Sequence, residues 1–322
     1  MEIKYINPNN NLPLTKNGTA FSDDSGNVFE VKKGVLKFVE NDNYTSNFGF
    51  QWNKFDKTQI DKHHASVDQS AERFFTVTQW NPEDLKGLNI LEVGSGAGRF
   101  SQVILKHTLA NLYTVDYSNA VEANSKNNGP NERLNVFQAS IYDLPFAHAQ
   151  FDKVVCFGVL QHTPNFEKSI QCLVDMVRPG GELIVDFYPI RGWWTKLHAK
   201  YIFRLWTKKM SHEKLLSLIE KNVRWLIKMY QILDKFGLHV FTRFLPICDI
   251  KNTLPVGLNK LQLKEWVILD TFDMFSPEYD NPQKLSTVVS WFSKYGMSSV
   301  KGKKVEFQNN QVTTVRGEKI SS

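Results

Sequence analysis

The segment with the clearest chemical potential is Leu91–Phe100, which reads Leu-Glu-Val-Gly-Ser-Gly-Ala-Gly-Arg-Phe. Its glycines, Gly94, Gly96 and Gly98, follow an apolar run typical of a buried strand, and a helix-like pattern begins directly after them. Glycine lets the backbone turn tightly and approach a ligand, and the N-terminus of a helix offers free N–H groups. The segment therefore predicts a nucleotide-type site at a strand-to-helix turn, to which Ser95 also contributes.

The spacing of these glycines separates two classes of ligand. Dinucleotide enzymes use G-x-G-x-x-G and place a pyrophosphate at the helix end, whereas this chain has G-x-G-x-G. Glu92 stands two residues before the first glycine, where a carboxylate would repel a pyrophosphate but accept a hydrogen bond from an ammonium group. These features indicate S-adenosylmethionine, which carries an α-amino group and no phosphate, and they argue against a dehydrogenase.

The next predicted strand supplies a second part of a cofactor site. Asn111–Asp116 reads as a strand that ends in an acid, about twenty residues past the glycines. At that spacing we expect Asp116 to accept hydrogen bonds from ribose hydroxyls, although a solvated aspartate at a strand end is the alternative. Tyr117 follows directly and is expected to lie against the adenine ring.

Further downstream the chain carries the patterns F-D-x-V, L-x-H-x-P and R-P-G-G-x-L, between Phe151 and Tyr188. With the glycine turn, they resemble the class I S-adenosylmethionine-dependent methyltransferases of the type 11 group, over roughly residues 85–190. The resemblance implies an α/β, Rossmann-like, doubly wound fold with a seven-stranded sheet, and S-adenosyl-L-methionine as cofactor. It also implies cofactor contacts after the third and fourth strands, at Ser140, Ile141, Phe157 and Gly158. Ser140 stands where the family usually has aspartate.

The reaction that this resemblance implies requires little chemistry of the protein. Methyl transfer from a sulfonium is an in-line displacement, so the enzyme must chiefly align donor and acceptor and exclude water. A hydroxyl acceptor also benefits from a general base. We expect His162, after the fourth strand, to be that base, followed by Asp186 and Tyr188; the alternative is that His162 only shapes the cofactor pocket. No cluster with metal-ligand spacing occurs in the sequence, so no metal is expected.

The order of the patterns divides the chain into four segments. They are a β-rich arm (1–45), the first part of the core (46–189), a mainly helical insertion (190–280) and closing elements (281–322). The insertion follows the fifth strand at its carboxyl edge, where open α/β sheets bind substrate. We therefore expect the insertion to form a cap that selects the acceptor.

Three residues of the insertion are the predicted acceptor contacts, namely Trp193, Asp273 and Tyr279. The last two belong to residues 266–280, which mix aromatics and carboxylates without helical or strand periodicity. We expect this stretch to be an irregular segment that lines the pocket, although a purely structural turn is the alternative.

The arm resembles a small zinc ribbon that has lost its cysteines. Asn7–Asn10 and Ser22–Gly26 stand where the ribbon carries its cysteine pairs, and neither segment offers a thiolate for zinc. An ordinary β-rich arm is the alternative. The aromatic segment that follows, with Phe48, Phe50 and Trp52, is interpreted either as a lid over the cofactor or as one face of a strand that docks the arm.

The insertion is strongly basic. Residues 191–260 contain fourteen Lys or Arg and four Asp or Glu, a net charge of +10 in a chain of +6. This charge, interleaved with tryptophans, would suit an anionic acceptor, an anionic membrane or RNA. Helices that bury Trp and Leu and turn lysines to water are the simplest interpretation, with an anionic acceptor next; nucleic acid is not favoured.

Composition and length fit an enzyme of the cytoplasm. The chain has 322 residues, of which 42% are apolar, with neither a signal-peptide pattern nor an apolar run of transmembrane length. Cys156, Cys172 and Cys248 are predicted to be buried thiols.

The sequence thus predicts a methyltransferase acting on oxygen or nitrogen of a small hydroxylated molecule, such as a sugar, glycan or natural-product intermediate. An RNA or lipid-precursor methyltransferase that uses the basic insertion, with peripheral membrane contact, is one alternative. A cofactor-binding scaffold without turnover is another. The identity of the acceptor and the oligomeric state stay open.

Overall fold

The computed structural model describes residues 2–40, 43–61, 69–190, 192, 195, 197–308 and 310–321. Within them the strands, in chain order, are β1 (Thr15–Asn17), β2 (Ala20–Ser22), β3 (Val28–Lys32), β4 (Val35–Lys37), β5 (Asn89–Val93), β6 (Asn111–Asp116), β7 (Leu134–Gln138), β8 (Phe151–Cys156), β9 (Val177–Phe187), β10 (Met297–Phe307) and β11 (Asn310–Lys319). They form one sheet in the order β1-β2-β3-β4-β7-β6-β5-β8-β9-β11-β10.

The middle of the sheet is parallel, as expected for a doubly wound fold. Strands β7, β6, β5, β8 and β9 run parallel, and the register places Leu91 opposite Tyr113 on one side and Val154 on the other. Strand β5 is buried along its whole length, because packing covers both faces of a parallel sheet. The carboxyl ends of these strands meet at one edge, where the glycine turn begins.

The sheet has eleven described strands, and the expected number of seven was wrong. Strands β5 to β11 make up the seven that the resemblance implied, and the arm supplies the other four. Strand β4 lies parallel to β7, with Val35 opposite Val136, and β3, β2 and β1 continue in antiparallel order. Since β7 would otherwise expose a row of unpaired backbone groups, the arm covers an edge of the core sheet.

The helices, in chain order, are α1 (Ser46–Lys54), α2 (Gln69–Thr78), α3 (Arg99–His107), α4 (Val121–Asn128), α5 (Phe166–Met176), α6 (Ala199–Thr207), α7 (His212–Lys235), α8 (Ile250–Thr253), α9 (Lys260–Phe275) and α10 (Leu285–Lys294). Two of them contradict the sequence-based expectations. The aromatic segment around Phe48 forms helix α1 and no strand, and residues 260–275 form the regular helix α9 where an irregular segment was expected. Helix α9 begins at a capping box, in which Asn259 and Gln262 exchange side-chain and backbone hydrogen bonds.

The arm is held together by one buried carboxylate. Asp23 accepts hydrogen bonds from the side-chain amides of Asn7 at 2.6 Å, Asn10 at 2.9 Å and Asn27 at 2.9 Å. The hydrogen bond from Asn7 is the main reason why the pKa of Asp23 lies well below its usual range. Hydrogen bonds thus join the two segments compared above with a zinc ribbon. In the described ranges no group of three or more His, Cys, Asp or Glu is placed to hold a metal ion.

The insertion leaves and re-enters the core at one point. The backbone N–H of Gln283 donates to the carbonyl of Tyr188 at 3.1 Å, and that of Ile190 donates to the carbonyl of Gln283 at 2.9 Å. We call this pair of hydrogen bonds the stem of the insertion. Beyond the stem, the insertion builds a hydrophobic cluster of its own around Leu226 and Phe272.

Three further expectations concern single residues or segments. Trp193, predicted to contact the acceptor, lies outside the described residues. The three cysteines are free thiols; Cys156 and Cys248 are buried, and Cys172 is partly buried. None of the described helices combines the length and the apolar character that crossing a bilayer requires.

Candidate functional site

A cavity of about 530 Å³ lies between the carboxyl edge of the sheet, helix α1 and the insertion. Most of the residues that sequence reasoning assigned to the cofactor, to catalysis or to the acceptor line it. Those lining residues are Gly94, Ser95, Gly96, Asp116, Tyr117, Ile141, Phe157, Gly158, His162, Asp186, Tyr188 and Asp273. The cavity volume lies in the usual range for a small-molecule site.

The glycine turn takes the shape that its sequence predicts. Gly94, Gly96 and Gly98 have φ angles of +84°, +52° and +88°, a region that residues with a Cβ rarely adopt. The N–H of Gly94 donates to the carbonyl of Val115 at 2.7 Å, which fixes the turn against β6. A Cβ on Gly94 would lie 2.1 Å from Cγ2 of Val159, so the turn has this close approach only because the residue is glycine.

Asp116 joins the turn to the end of strand β6. Its Oδ2 accepts from the N–H of Gly96 at 2.8 Å, and its Oδ1 accepts from the N–H and the hydroxyl of Ser118 at 2.8 and 2.7 Å. Burial raises the pKa of Asp116, and these hydrogen bonds oppose that rise. The carboxylate is therefore held in the cavity wall, and its oxygens retain capacity for a ligand hydroxyl.

Glu92 lies beneath the turn and is not part of the cavity lining. It is 3% exposed, and its Oε2 accepts from the hydroxyl of Ser101. Burial raises its pKa to about 7, while hydrogen bonds from Ser101 and Thr114 act in the opposite direction. The structure thus places Glu92 between Ser101 of α3 and Thr114 of β6, and a direct contact with the ammonium group stays a prediction.

Three further predicted residues also lie outside the cavity lining. Gly98 is the N-cap of helix α3, and the hydroxyl of Ser140 accepts from the N–H of Tyr142 at 3.1 Å. The ring of Tyr279 packs edge-on against Tyr44, with centroids 5.3 Å apart, and Tyr279 reaches the site through its backbone carbonyl. Each of the three is thus engaged in a contact within the protein.

Asp186 is a fixed carboxylate in the cavity wall. One oxygen accepts from Arg73 at 2.6 Å, and the other accepts from the N–H of Gly158. The ion pair with Arg73 and the hydrogen bond from Gly158 fix the position of this carboxylate, and its role as a general base stays a prediction. The Nε atom of Arg73 and the hydroxyl of Ser95 are buried without a hydrogen-bond partner in the described structure, and both residues line the cavity. They offer donors for a carboxylate-bearing ligand.

His162 is the predicted base whose geometry suits the role. It is 5% exposed, and its Nδ1 lies 3.0 Å from the carbonyl of Tyr279. Since a carbonyl only accepts, Nδ1 carries the proton and Nε2 has a free lone pair. Nε2 is buried and has no hydrogen-bond partner among the described residues. Burial lowers the pKa of His162, so the imidazole is neutral at pH 7.

Polar groups at the end of β9 and in the insertion share the cavity with His162. The hydroxyl of Tyr188 lies 3.5 Å from Oδ2 of Asp273, and the ammonium of Lys200 lies 4.8 Å from the centre of the Tyr188 ring. Lys200 also forms a 2.8 Å ion pair with Asp280. Tyr188 therefore lies between an anion and a cation, and it brings a hydroxyl and an aromatic ring to the cavity wall.

Sequence reasoning did not assign several charged residues of the cavity wall, among them Arg99, Lys200 and Asp270. Burial raises the pKa of Asp270 to about 7, and Asp273 adds to the rise. Burial lowers the pKa of Arg99 to about 9, and repulsion by Arg73 contributes. Of these three, only Arg99 had a sequence signal, because it directly follows the last glycine of the turn.

A glycine turn over the carboxyl edge of a parallel sheet, an acid at the end of β6 and an open cavity beside them define the class of this domain. Residues 91–185 match the family model described as a methyltransferase domain. This part of the chain is a class I S-adenosylmethionine-dependent methyltransferase domain, with S-adenosylmethionine as its cofactor.

Two known proteins illustrate how far the sequence similarity extends. A ubiquinone biosynthesis O-methyltransferase of Coxiella burnetii is 31% identical over 135 residues, which cover 38% of this chain and 55% of that protein. Methyltransferase GfsG of Streptomyces halstedii is 25% identical over 190 residues, covering 56% of this chain and 64% of that protein. The chain thus spans about half the length of the first of these relatives.

One solved structure aligns with most of this chain. A magnesium protoporphyrin IX methyltransferase from Synechocystis PCC 6803, with bound SAH, aligns over 86% of this chain and 96% of that chain. The TM-score is 0.45 and the sequence identity is 14%.

Proposed function

We propose that this protein is a methyltransferase that acts on oxygen or nitrogen of a small hydroxylated acceptor, with His162 as the general base. One observation carries the proposal: His162 lines the cavity with a neutral imidazole whose Nε2 has no partner in the described structure. A buried nitrogen without a partner is costly unless a ligand satisfies it. An acceptor hydroxyl or amine is a donor of the right kind.

The residues around the cavity fit the cofactor of the domain. Asp116 would hold the ribose, and the glycine turn would approach the amino-acid part. Ser95 and Arg73 would donate to the carboxylate, which accounts for their buried donors without partners in the described structure. When bound, S-adenosylmethionine supplies an activated methyl group and a good leaving group.

The protein's own contribution is alignment and one proton transfer. The acceptor oxygen or nitrogen would bond to the methyl carbon as the carbon–sulfur bond of the cofactor breaks and S-adenosylhomocysteine leaves. The proton of the acceptor would pass to Nε2 of His162 and later to solvent. The carbonyl of Tyr279 holds the other nitrogen, so the imidazole keeps the tautomer that can accept. The hydroxyl of Tyr188 and the carboxylate of Asp273 support a hydroxylated acceptor, because together they offer both a donor and an acceptor.

The name of the Coxiella burnetii relative supports oxygen as the methylated atom. A protein that binds the cofactor without turnover is the competing possibility. It would leave the free Nε2 of His162 without a role, and we therefore place it second.

The test is substitution by His162→Ala and His162→Gln, assayed on the sugars, nucleotide sugars and phenols that the wild-type protein methylates. We expect kcat to fall by about 10²- to 10⁴-fold, the usual effect of losing a general base. The dissociation constant for S-adenosylmethionine, measured by calorimetry, should change little. Because burial lowers the pKa of His162, the acidic limb of the wild-type kcat profile should lie below the ordinary histidine value of about 6.5.

Unchanged turnover in both His162 variants would reject the base. Cofactor binding without methylation of any acceptor in the panel would favour the scaffold instead.

A further inference from the structure

The insertion exposes an unusual amount of apolar surface. Fourteen of the twenty-one large hydrophobic residues that are exposed in the described structure lie between 197 and 244. The most exposed of them are Leu205, Trp206, Phe236 and Val240. Single exposed hydrophobic residues are normal on a soluble protein, but a concentration of them indicates a surface that contacts something else.

Helix α7 shows that this exposure is organised. Its buried residues, among them Leu215, Ile219 and Leu226, belong to the cluster that also contains residues of α9. A second apolar set on the same helix is exposed: Leu218, Trp225, Met229, Ile232 and Phe236. At about 100° per residue, this second set falls within an arc of about 60°, centred roughly 120° away from the buried face. The helix therefore has two apolar stripes, of which one faces solvent.

Basic residues run along one side of the exposed stripe. Lys221, Arg224, Lys228 and Lys235 are exposed and, at the same helical spacing, fall in a neighbouring arc about 60° wide. Over residues 197–244 as a whole, ten Lys or Arg stand against three Asp or Glu. An exposed apolar stripe beside a row of cations is typical of a helix that lies in the surface of an anionic bilayer.

We propose that the outer face of the insertion docks on an anionic phospholipid bilayer. We define this docking face as the exposed hydrophobic residues of 197–244 together with the row of four cations on α7. Trp206 and Trp225, which are 59% and 49% exposed, are of the type that prefers the membrane–water boundary. Phe236, at 72% exposure, would enter the acyl region beside them.

Two other occupants fit the docking face less well. A second copy of the chain would bring two surfaces of the same positive sign together, because a twofold contact pairs each patch with itself. An RNA strand would use the cations and the tryptophans, but leucine, isoleucine and methionine offer no ring on which a base can stack. An anionic bilayer uses both the charge and the aliphatic side chains.

The docking face adjoins the wall of the cavity. Its last part, residues 239–244, follows a turn after α7, and Nε2 of His239 lies 3.1 Å from the side-chain amide of Asn252. Asn252 and Asp249 line the cavity. A docked bilayer would therefore hold this wall of the cavity close to the lipid surface. The proposal concerns binding alone and does not depend on the proposed acceptor.

The experiment is sedimentation of the full-length protein with vesicles of phosphatidylcholine, with and without one third phosphatidylglycerol. We expect binding to the anionic vesicles, weak binding to the neutral ones, and release as salt is raised to about 0.5 M, where charges are screened within a few ångströms. The combined variant Lys221→Gln, Lys228→Gln and Lys235→Gln should bind about 100-fold more weakly.

Matched controls separate the docking face from general charge and hydrophobicity. The combined variant Lys301→Gln, Lys303→Gln and Lys304→Gln removes the same charge on strand β10 and should leave vesicle binding unchanged.

A second pair of variants tests the apolar contribution. Trp225→Ser with Phe236→Ser should weaken binding at least about 10-fold, because it removes two large apolar anchors. Leu109→Ser should leave binding unchanged, because Leu109 is 57% exposed but lies outside the docking face.

Four results would overturn the proposal. The first is equal binding, or none, to anionic and neutral vesicles by a protein whose circular dichroism is native. The second is the same loss of binding in the β10 control as in the α7 variant. The third is a dimer in sedimentation velocity that the Trp225 and Phe236 substitutions dissociate. The fourth is retardation of a 20-nucleotide RNA without any vesicle binding.

Discussion

The cofactor turn requires a residue without a side chain at position 94. An added methyl group would meet Val159 at 2.1 Å, and the φ angle of +84° is unfavourable for alanine. Gly94→Ala should therefore abolish measurable binding of S-adenosylmethionine in calorimetry and lower the melting temperature. Gly87→Ala is the matched control, because Gly87 has a φ of +73° and no atom within 4 Å of its missing Cβ.

In the Gly87→Ala control the free energy of unfolding should fall by only about 1 kcal/mol, the cost of a positive φ angle, and the cofactor affinity should be kept. Equal loss of affinity in the two glycine variants would contradict the steric argument at Gly94.

The buried carboxylate of Glu92 makes stability depend on pH. Burial raises its pKa from an ordinary 4.5 to about 7, so between these values the unfolded chain loses a proton that the folded chain keeps. Unfolding becomes easier as pH rises through this window. Glu92→Gln removes the effect, so its stability relative to wild type should rise by about 2 kcal/mol between pH 5 and pH 8.

Urea denaturation of both proteins at the two pH values measures this difference. Glu83→Gln, at a position outside the buried core, controls for the loss of one charge. If the free energies of unfolding of Glu92→Gln and wild type differ by the same amount at pH 5 and pH 8, the burial argument is contradicted.

At the residue scale the sequence predicted what local backbone chemistry determines. Gly94 and Asp116 were predicted because a tight turn and a strand end need those residue types at that spacing, and both line the cavity. Asp270 and Lys200 were missed because the insertion carries them to the cavity from distant positions in the chain. The hydrogen bond between Glu92 and Ser101 was not predicted, because spacing does not reveal on which side of the turn a side chain lies.

At the scale of single elements, hydrophobic periodicity did not predict the secondary structure where an element is almost completely buried. Helix α9 buries most of its residues from Trp266 to Phe275, so no polar face interrupts the apolar pattern. In α1, three aromatics at alternate positions suggested a strand, but tertiary packing made this segment a helix. Amphipathic helices such as α5 and α10 keep a polar face, so their apolar periodicity is visible in the sequence.

The arm allows a prediction about a single element of the fold. Asp23→Ala removes the acceptor of three asparagine side chains, so the turn that joins β2 and β3 should loosen. We expect limited proteolysis to cut the arm faster while the core resists. Asp24→Ala makes the same charge change at an exposed neighbour and should behave as wild type.

The same carboxylate predicts a response to acid. The hydrogen bonds lower the pKa of Asp23, so its stabilising effect is complete above the ordinary aspartate value and is lost as pH falls below it. Wild type should therefore approach the protease sensitivity of Asp23→Ala only in strong acid. Equal protease sensitivity of wild type and Asp23→Ala near neutral pH would contradict this role.

At the scale of the whole molecule, the cavity is shared by parts of the chain that lie far apart in sequence. Its walls come from α1, from the core turn and from the insertion between residues 248 and 255. A ligand in the cavity contacts all three, so S-adenosylhomocysteine should slow hydrogen exchange in each of them. At about 100 times its dissociation constant it should also stabilise the fold by about 2.7 kcal/mol.

Hydrogen exchange read by mass spectrometry, with and without S-adenosylhomocysteine, tests this shared binding. The arm strands β1 and β2 are a control within the same molecule, because none of their residues lines the cavity. Protection confined to the core turn would mean that the insertion does not take part in binding the cofactor.

The overall architecture was predictable only in part. The parallel core follows from alternating strand and helix patterns, and the methyltransferase motifs lie within it. The joining of the arm to β7 is a pairing between distant segments, and no local pattern in either strand predicts it. For that reason eleven strands form one sheet where seven were expected.

The stem has a consequence for how such a protein can change over generations. Because Tyr188, Ile190 and Gln283 bring the two ends of the insertion within hydrogen-bonding distance, a whole segment can be exchanged there while the flanking strands keep their places. A lineage could thus recombine one insertion for another, of different length and chemistry, without rebuilding the sheet or the glycine turn. Inheritance would preserve the core, and the part of the cavity wall that the insertion supplies would change by exchange at a single junction.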